Sequence, residues 1–275
     1  MTRAQKYEIF RSLHQRPGAF VLPNPWNAGT ARILTALGFE ALATTSAGYA
    51  FSIGRPDSTA ELSRDGILQN ARAIVEATHL PVSADLQDGF GRSPETCAET
   101  IRQAAGVGLV GGSIEDATGN ENDPIYDFQL AVERVAAAAE AAHQCQFLLT
   151  ARAENFLHGR PDFADTLRRL QAFAEAGADV VYAPGLPGLE AIRQVCASVS
   201  KPVNALMGLK GATFSVDELA AAGVKRISVG GSFARVALGA FVRAAREVKD
   251  KGTFTFAADA ISHAEATAYM EPEKR

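Results

Sequence analysis

Cysteine is scarce. Cys97, Cys145 and Cys196 are the only three in 275 residues. They are odd in number, widely spaced and outside any CxxC or Cys/His pattern, which excludes a disulfide framework and a thiolate metal site and leaves them as reduced structural thiols. Long apolar runs are missing as well. The N-terminal MTRAQKYEIFRSLHQR has no uninterrupted apolar core, and no later segment approaches the roughly 18 apolar residues that a membrane span needs. No membrane partner is therefore expected, and the chain is expected in the cytoplasm. Excess charge of one sign is also lacking: 27 Lys+Arg against 31 Asp+Glu give −4, which excludes a general attraction for nucleic acid. No Pro/Ser-rich linker or low-complexity stretch divides the chain. With 47% hydrophobic and 21% charged residues, the expectation is one globular domain over 1–275, with a helical extension from about residue 252.

What is present is a repeated unit, a short apolar run followed by an amphipathic helical stretch. The runs are AFVLPN, EALATTS, PVSADL, GLVGGSIED, QFLLTARAE, ADVVYAPG, PVNALM and RISVGG. Helical patterns such as DFADTLRRLQAFAEAGA lie between them, several closing on glycine as a left-handed C-cap requires. Near-continuous apolar strands alternating with helices imply parallel strands covered by helices. Eight units close into an α/β (β/α)8 TIM barrel; a doubly wound open sheet is the alternative.

Barrel enzymes carry their chemistry at the C-terminal strand ends. Here the runs end in Asn24 and Trp26; Thr45, Ser46 and Gly48; Asp85 and Asp88; Glu115 and Asp116; Arg152, Glu154 and Asn155; Tyr182; Asn204; and Gly230, Gly231 and Ser232. Like charges gathered at neighbouring ends repel, and burying them is costly without a cation. Asp85, Asp88 and Glu115, without His or Cys nearby, suit Mg²⁺, with Mn²⁺ as the substitute. The other reading makes these acids loop caps or partners of Arg64, Arg92 and Arg152. Arg152 should emerge at the barrel mouth, where its fork would grip a carboxylate or pair with Glu154 or Glu115. The small-residue turn Ser46, Ala47, Gly48 offers backbone N–H groups to an anionic oxygen. SVGGSFAR has the form of a phosphate loop and suggests a second ligand class. His79 precedes a strand and His158 stands alone, so neither is expected to be catalytic. Lys201 and Lys225 precede their strands and Lys210 lies beyond one, which disfavours imine chemistry.

In order along the chain, LPNPWNAGTARILTALGFEALATTSAG, PVSADLQDGFG, SIEDATG, ARAENF and VNALMG resemble the isocitrate lyase/phosphoenolpyruvate mutase superfamily from about Val21 to Arg243. The resemblance implies a (β/α)8 barrel, a homo-oligomer (dimer or tetramer) whose paired subunits exchange the eighth helix, and Mg²⁺ holding the oxygens of a small 2-oxo acid. By position it makes Asp85 the direct metal ligand, with Glu115 and neighbouring acids acting through waters. Ser46, Ala47 and Gly48, with Thr45 at the same strand end and Arg152, would hold the substrate carboxylate. Asp57 in GRPDS would stand near the reacting group, and Asn204 would line the pocket.

The departures are specific. Gln87 stands where the family often has a second aspartate, and Asp88 follows it. Where isocitrate and methylisocitrate lyases carry a loop with a basic pair and a cysteine proton donor, this chain reads ATGNENDPIYD, which disfavours isocitrate cleavage. Asn120 or Asn122 is similar to the asparagine of phosphonate-processing members, without their lysine and threonine. Pro184 and Gly185 replace a group that is often polar or acidic. The expectation is a Mg²⁺-dependent lyase, decarboxylase or hydrolase acting on a small 2-oxo acid through an enolate. The alternatives are phosphonopyruvate mutase or hydrolase chemistry, a non-catalytic protein binding Mg²⁺ and a 2-oxo acid, and a phosphate-ligand barrel.

Overall fold

The computed structural model describes residues 1–58, 61–211 and 213–271. Strands β1 (Phe20–Leu22), β2 (Leu42–Ala43), β3 (Val82–Asp85), β4 (Gly111–Glu115), β5 (Leu148–Arg152), β6 (Val180–Tyr182), β7 (Val203–Leu206) and β8 (Arg226–Ser228) form one parallel sheet in the order β1-β8-β7-β6-β5-β4-β3-β2. The remaining seam is drawn together by the Ala43 amide, which donates to the Pro23 carbonyl at 3.0 Å, and by the Asn24 side chain, which donates to the Thr44 carbonyl at 3.0 Å. The expected (β/α)8 barrel is the observed fold, and its strands begin and end within the eight apolar runs.

Helices α1 (Arg3–Gln15), α2 (Ala28–Ala36), α3 (Ser46–Ser52), α4 (Arg64–Ala77), α5 (Pro94–Gly106), α6 (Phe128–Gln144), α7 (Phe163–Glu175), α8 (Leu189–Ser198), α9 (Val216–Ala221), α10 (Ser232–Lys251) and α11 (His263–Met270) complete the chain. The outer helices bury one stripe. In α7 the buried residues are Thr166, Arg169, Leu170, Phe173 and Ala174, the i, i+3, i+4, i+7, i+8 pattern that faces a core. Fully buried Phe173 alone contributes about 1.5–3 kcal/mol. Asp162 caps the start of α7, its side chain accepting from the Asp165 amide. Gly177 ends the turn with φ 106°, a conformation that only glycine adopts without strain.

Helix α1 closes the barrel at the N-terminal strand ends. Its Arg3 Nε donates to Leu109 O at 3.0 Å and its Lys6 Nζ to Thr78 O at 3.0 Å, both just ahead of strands. Phe10 and Leu13 join Phe20, Leu22 and Leu148 in a separate apolar cluster at this end. Gly111 on β4 admits the Phe10 ring, since a Cβ there would stand 2.7 Å from it. Helix α10 behaves differently. Only Ser232 and Ala234 of its twenty residues are buried, and Val236 and Phe241 are 68% and 70% exposed. After Gly252 the chain turns back, and α11 lies against α2 of the same barrel. No described helix is long and apolar enough to cross a membrane.

Candidate active site

Side chains alternate across a strand, so every second residue of a barrel strand points inward. The register pairs Glu115 with Arg152, Arg152 with Tyr182, Tyr182 with Asn204, and Asn204 with Arg226. Polar side chains therefore spiral into a cavity of about 700 Å³ at the C-terminal strand ends.

One guanidinium organises the rim. Arg152 places Nε 2.6 Å from Glu154 Oε1, Nη1 3.2 Å from Asp85 Oδ1 and Nη2 3.0 Å from Glu115 Oε2, and its guanidinium carbon lies over the Tyr182 ring, 5.2 Å from the ring centroid. Burial alone would lower the Arg152 pKa, but Glu154, Glu115 and Asp85 outweigh it and hold it well above the ordinary value. Burial likewise pushes the Glu115 carboxyl well above its usual range, against the pull of Arg152. Three carboxylates on one cation leave negative charge uncompensated.

Asp85 is fixed on its other side. Its Oδ2 accepts from the Ser46 hydroxyl at 2.8 Å and the Ser46 amide at 3.2 Å, and its Oδ1 accepts from the Gln87 amide at 3.3 Å. The Gln87 carbonyl accepts from the Glu115 amide at 2.9 Å, linking the two acidic strand ends. Buried Gln87 leaves its Oε1 without a hydrogen-bond partner. Asp57 stands at the mouth, its pKa raised by burial and by the charge of Asp85.

A hard divalent cation suits this chemistry. The donors are carboxylate, hydroxyl and amide oxygens, one of them orphaned, and negative charge is in excess. Among the described residues no group of three or more His, Cys, Asp or Glu side chains is arranged to hold a metal. The protein would thus supply one or two direct ligands, the remainder being water or substrate oxygen, as Mg²⁺ commonly accepts.

Asp57, Thr45, Ser46, Ala47, Asp85, Glu115, Asn120, Arg152 and Asn204 all line the cavity. Three expected residues do not. Asp88 turns away, its Oδ1 accepting from the Phe90 amide at 2.9 Å and its Oδ2 from the Tyr126 hydroxyl at 3.3 Å. The cause is the backbone: Gln87 has φ 48° and Gly89 φ 82°, so the chain leaves the strand in a tight turn and Asp88 becomes a buried loop anchor. Gly48 is outside the lining, and its amide donates to Thr45 Oγ1 at 3.3 Å as part of the α3 cap. Asn122 is exposed, and its amide donates to Asn120 Oδ1 at 3.0 Å. Asp116 is structural too, accepting from the Glu154 amide at 2.8 Å and Arg169 Nη1 at 3.1 Å, with burial pushing its pKa up to about 7.

The phosphate-like loop is largely occupied. The Val229 and Gly230 amides both donate to Asn24 Oδ1 at 2.9 Å, and the Ser232 amide donates to Val229 O at 3.1 Å. Several lining residues were not among the expected site residues, among them two with titratable side chains deep in or at the mouth of the cavity. His158, set aside as isolated, reaches the mouth from the turn after β5, and Arg226 lies inside the barrel. Arg226 was legible from strand periodicity, because Ser228 at the β8 end and Arg226 two residues earlier share a face.

A family model described as phosphoenolpyruvate phosphomutase matches residues 10–249. A solved protein from Burkholderia cenocepacia J2315, provisionally called a lyase/mutase, is 56% identical with TM-score 0.95, covering 98% of this chain and 97% of that one. A solved 2,3-dimethylmalate lyase is 25% identical with TM-score 0.86, covering 97% and 95%. The 2-methylisocitrate lyase of Escherichia coli K12 is 30% identical over 226 residues, 79% of this chain and 75% of that protein.

Proposed function

Because the chain belongs to the phosphoenolpyruvate phosphomutase family, within the isocitrate lyase/phosphoenolpyruvate mutase superfamily, we propose that it is a Mg²⁺-dependent enzyme acting on a small 2-oxo acid, breaking or forming the C–C or P–C bond next to the carbonyl, with lyase chemistry as the leading reading. The observation that carries this is the set of three carboxylates drawn onto Arg152 at the rim of a cavity of about 700 Å³.

When bound, Mg²⁺ or Mn²⁺ would supply positive charge for the oxygens of the 2-oxo acid and its enolate. Asp85 would hold the cation, with Glu115 and the unpartnered Gln87 Oε1 behind it. Thr45, Ser46, Ala47 and Asn204 line the wall that would face the substrate, and Arg152 holds the three acids in place beside the substrate carboxylate. Asp57, its pKa raised, lines the mouth and would stand near the reacting group. Residues 117–127 contribute Asn120 and Glu121 to the lining and contain no cysteine, which separates this chain from isocitrate-cleaving enzymes and keeps phosphonopyruvate chemistry as the second reading. The low cysteine content fits a cytoplasmic setting, and the bare apolar face of α10 fits a homo-oligomer.

Pyruvate release from oxaloacetate and from phosphonopyruvate, measured in parallel with Mg²⁺ and with chelator, tests the proposal. Metal-dependent turnover of one or both is expected. Turnover of neither, together with calorimetric absence of Mg²⁺-dependent 2-oxo acid binding, would reject it; binding without turnover would identify a non-catalytic binding protein.

A further inference from the structure

Arg226 sits on β8 with 4% of its surface exposed, inside the barrel and in the wall of the cavity. Its Nε donates to Asn204 Oδ1 at 2.8 Å and its Nη2 to Thr150 Oγ1 at 2.9 Å. Nη1 is buried and has no hydrogen-bond partner. Asn204 is held in this orientation because its own amide group donates to Ser228 Oγ at 3.0 Å. Every partner is neutral. The three rim carboxylates are committed to Arg152, and no ion pair forms with Arg226 among the described residues. Burial lowers its pKa to about 10, with Tyr182 the only opposing influence. At neutral pH the guanidinium is nonetheless charged, and a buried charge without a counter-ion is costly. The same cavity is lined by Ser83, Ser113, Ser228 and Tyr182, whose hydroxyls can donate to an anion.

We infer that the floor of the cavity is an oxyanion subsite centred on Arg226, separate from the acidic rim, which takes a carboxylate or phosphate-like group. The group is either the far end of the substrate or a free small anion. The subsite supplies through the cavity the counter-charge that the fold withholds, and it does not depend on the metal or on the 2-oxo acid reading.

The competing explanation is internal. His14 Nε2 is also buried without a partner, and the His14 ring lies close enough to Arg226 for that charge to contribute to its low pKa. A water between the two would offer Nη1 a hydrogen bond, but the neutral His14 ring supplies no counter-charge.

The test titrates the full-length protein, free of divalent metal, with acetate, malonate and inorganic phosphate by calorimetry. Wild type is expected to bind at least one of them, Arg226→Met to lose at least tenfold in affinity, and Arg226→Lys to lose less. Asn204→Asp gives a second route that keeps the guanidinium: a carboxylate beside Nε supplies an internal counter-ion and should also weaken oxyanion binding at least tenfold. Circular dichroism establishes folding of each variant. Failure of the wild type to bind any of the three anions, or equal affinity in Arg226→Met or Asn204→Asp, would overturn the subsite. With Mg²⁺ added, competition between phosphate and oxaloacetate would identify the substrate's far carboxylate as the natural occupant, whereas independent binding would identify a free anion. Phosphate binding that depends on Arg226 alongside absent oxaloacetate binding would retain the subsite and reject the 2-oxo acid reading.

Discussion

Asp85 is held from three directions, by Ser46, the Gln87 amide and Arg152, so replacing its charge while keeping its shape isolates the metal question. Asp85→Asn is expected to weaken Mg²⁺ binding at least tenfold by calorimetry with an unchanged circular dichroism spectrum; undiminished binding would remove Asp85 from the metal site. Arg152 poses the opposite problem, because each of its nitrogens already meets a carboxylate. A lysine ammonium cannot span three partners as a planar fork does. If Arg152 also grips substrate, Arg152→Lys should raise the Kd for a 2-oxo acid at least tenfold while Mg²⁺ affinity changes less. A lowered Tm with ligand affinity intact would make it purely a clamp for the acids. At this scale the sequence was informative wherever a charged residue ended an apolar run, as with Asp85, Glu115 and Arg152. It misled at Asp88, whose direction depends on the positive φ of Gln87, a property that residue type does not announce.

Among the elements, the outer helices were legible from their apolar spacing, whereas the role of α1 was not. Helix α1 precedes the first strand, and nothing in its own pattern says that it plugs the barrel. The consequence is His14, set edge-on to Phe10 and Phe20 with ring centroids 4.8 and 4.9 Å away and bonded through Nδ1 to Phe10 O at 2.8 Å. Burial, helped by the nearby Arg226 charge, lowers its pKa from 6.5 to about 3. Folded His14 is therefore neutral across a window in which the unfolded residue binds a proton. The unfolded state gains protons as pH falls through about 6.5, and stability drops progressively until the folded ring also protonates near pH 3. The limiting slope for one such group is about 1.4 kcal/mol per pH unit. Urea unfolding between pH 4 and 6.5 should show a flatter pH dependence for His14→Gln than for wild type; parallel curves would mean that the ring is solvated in the folded state.

For the whole molecule, the eight-strand count carried the fold, while the prediction about assembly turns on a helix that the barrel leaves uncovered. In a (β/α)8 barrel the helix after the last strand normally packs back on the strands, yet α10 buries only its first turn and touches α3 and the turn that follows it. It exposes Val236, Leu238, Phe241 and Val242, and beyond its end Phe254 and Ile261 are 65% and 55% exposed. Six large apolar side chains exposed along one helix and the segment after it are more than singly scattered residues, and mark a candidate interaction surface. Helix α11 does not shield it, because it lies on α2. A second copy of the chain, carrying the same face, is the simplest cover, since a self-complementary patch closes into a dimer and pairs of dimers into a tetramer. Light scattering of the wild-type protein at micromolar concentration should therefore give the mass of two or four chains. Val236→Asp combined with Phe241→Asp should shift it towards one, since burying two carboxylates in an apolar interface without partners is strongly unfavourable. A wild-type mass of one chain, or a double variant that assembles unchanged, would show that the α10 face is not the contact.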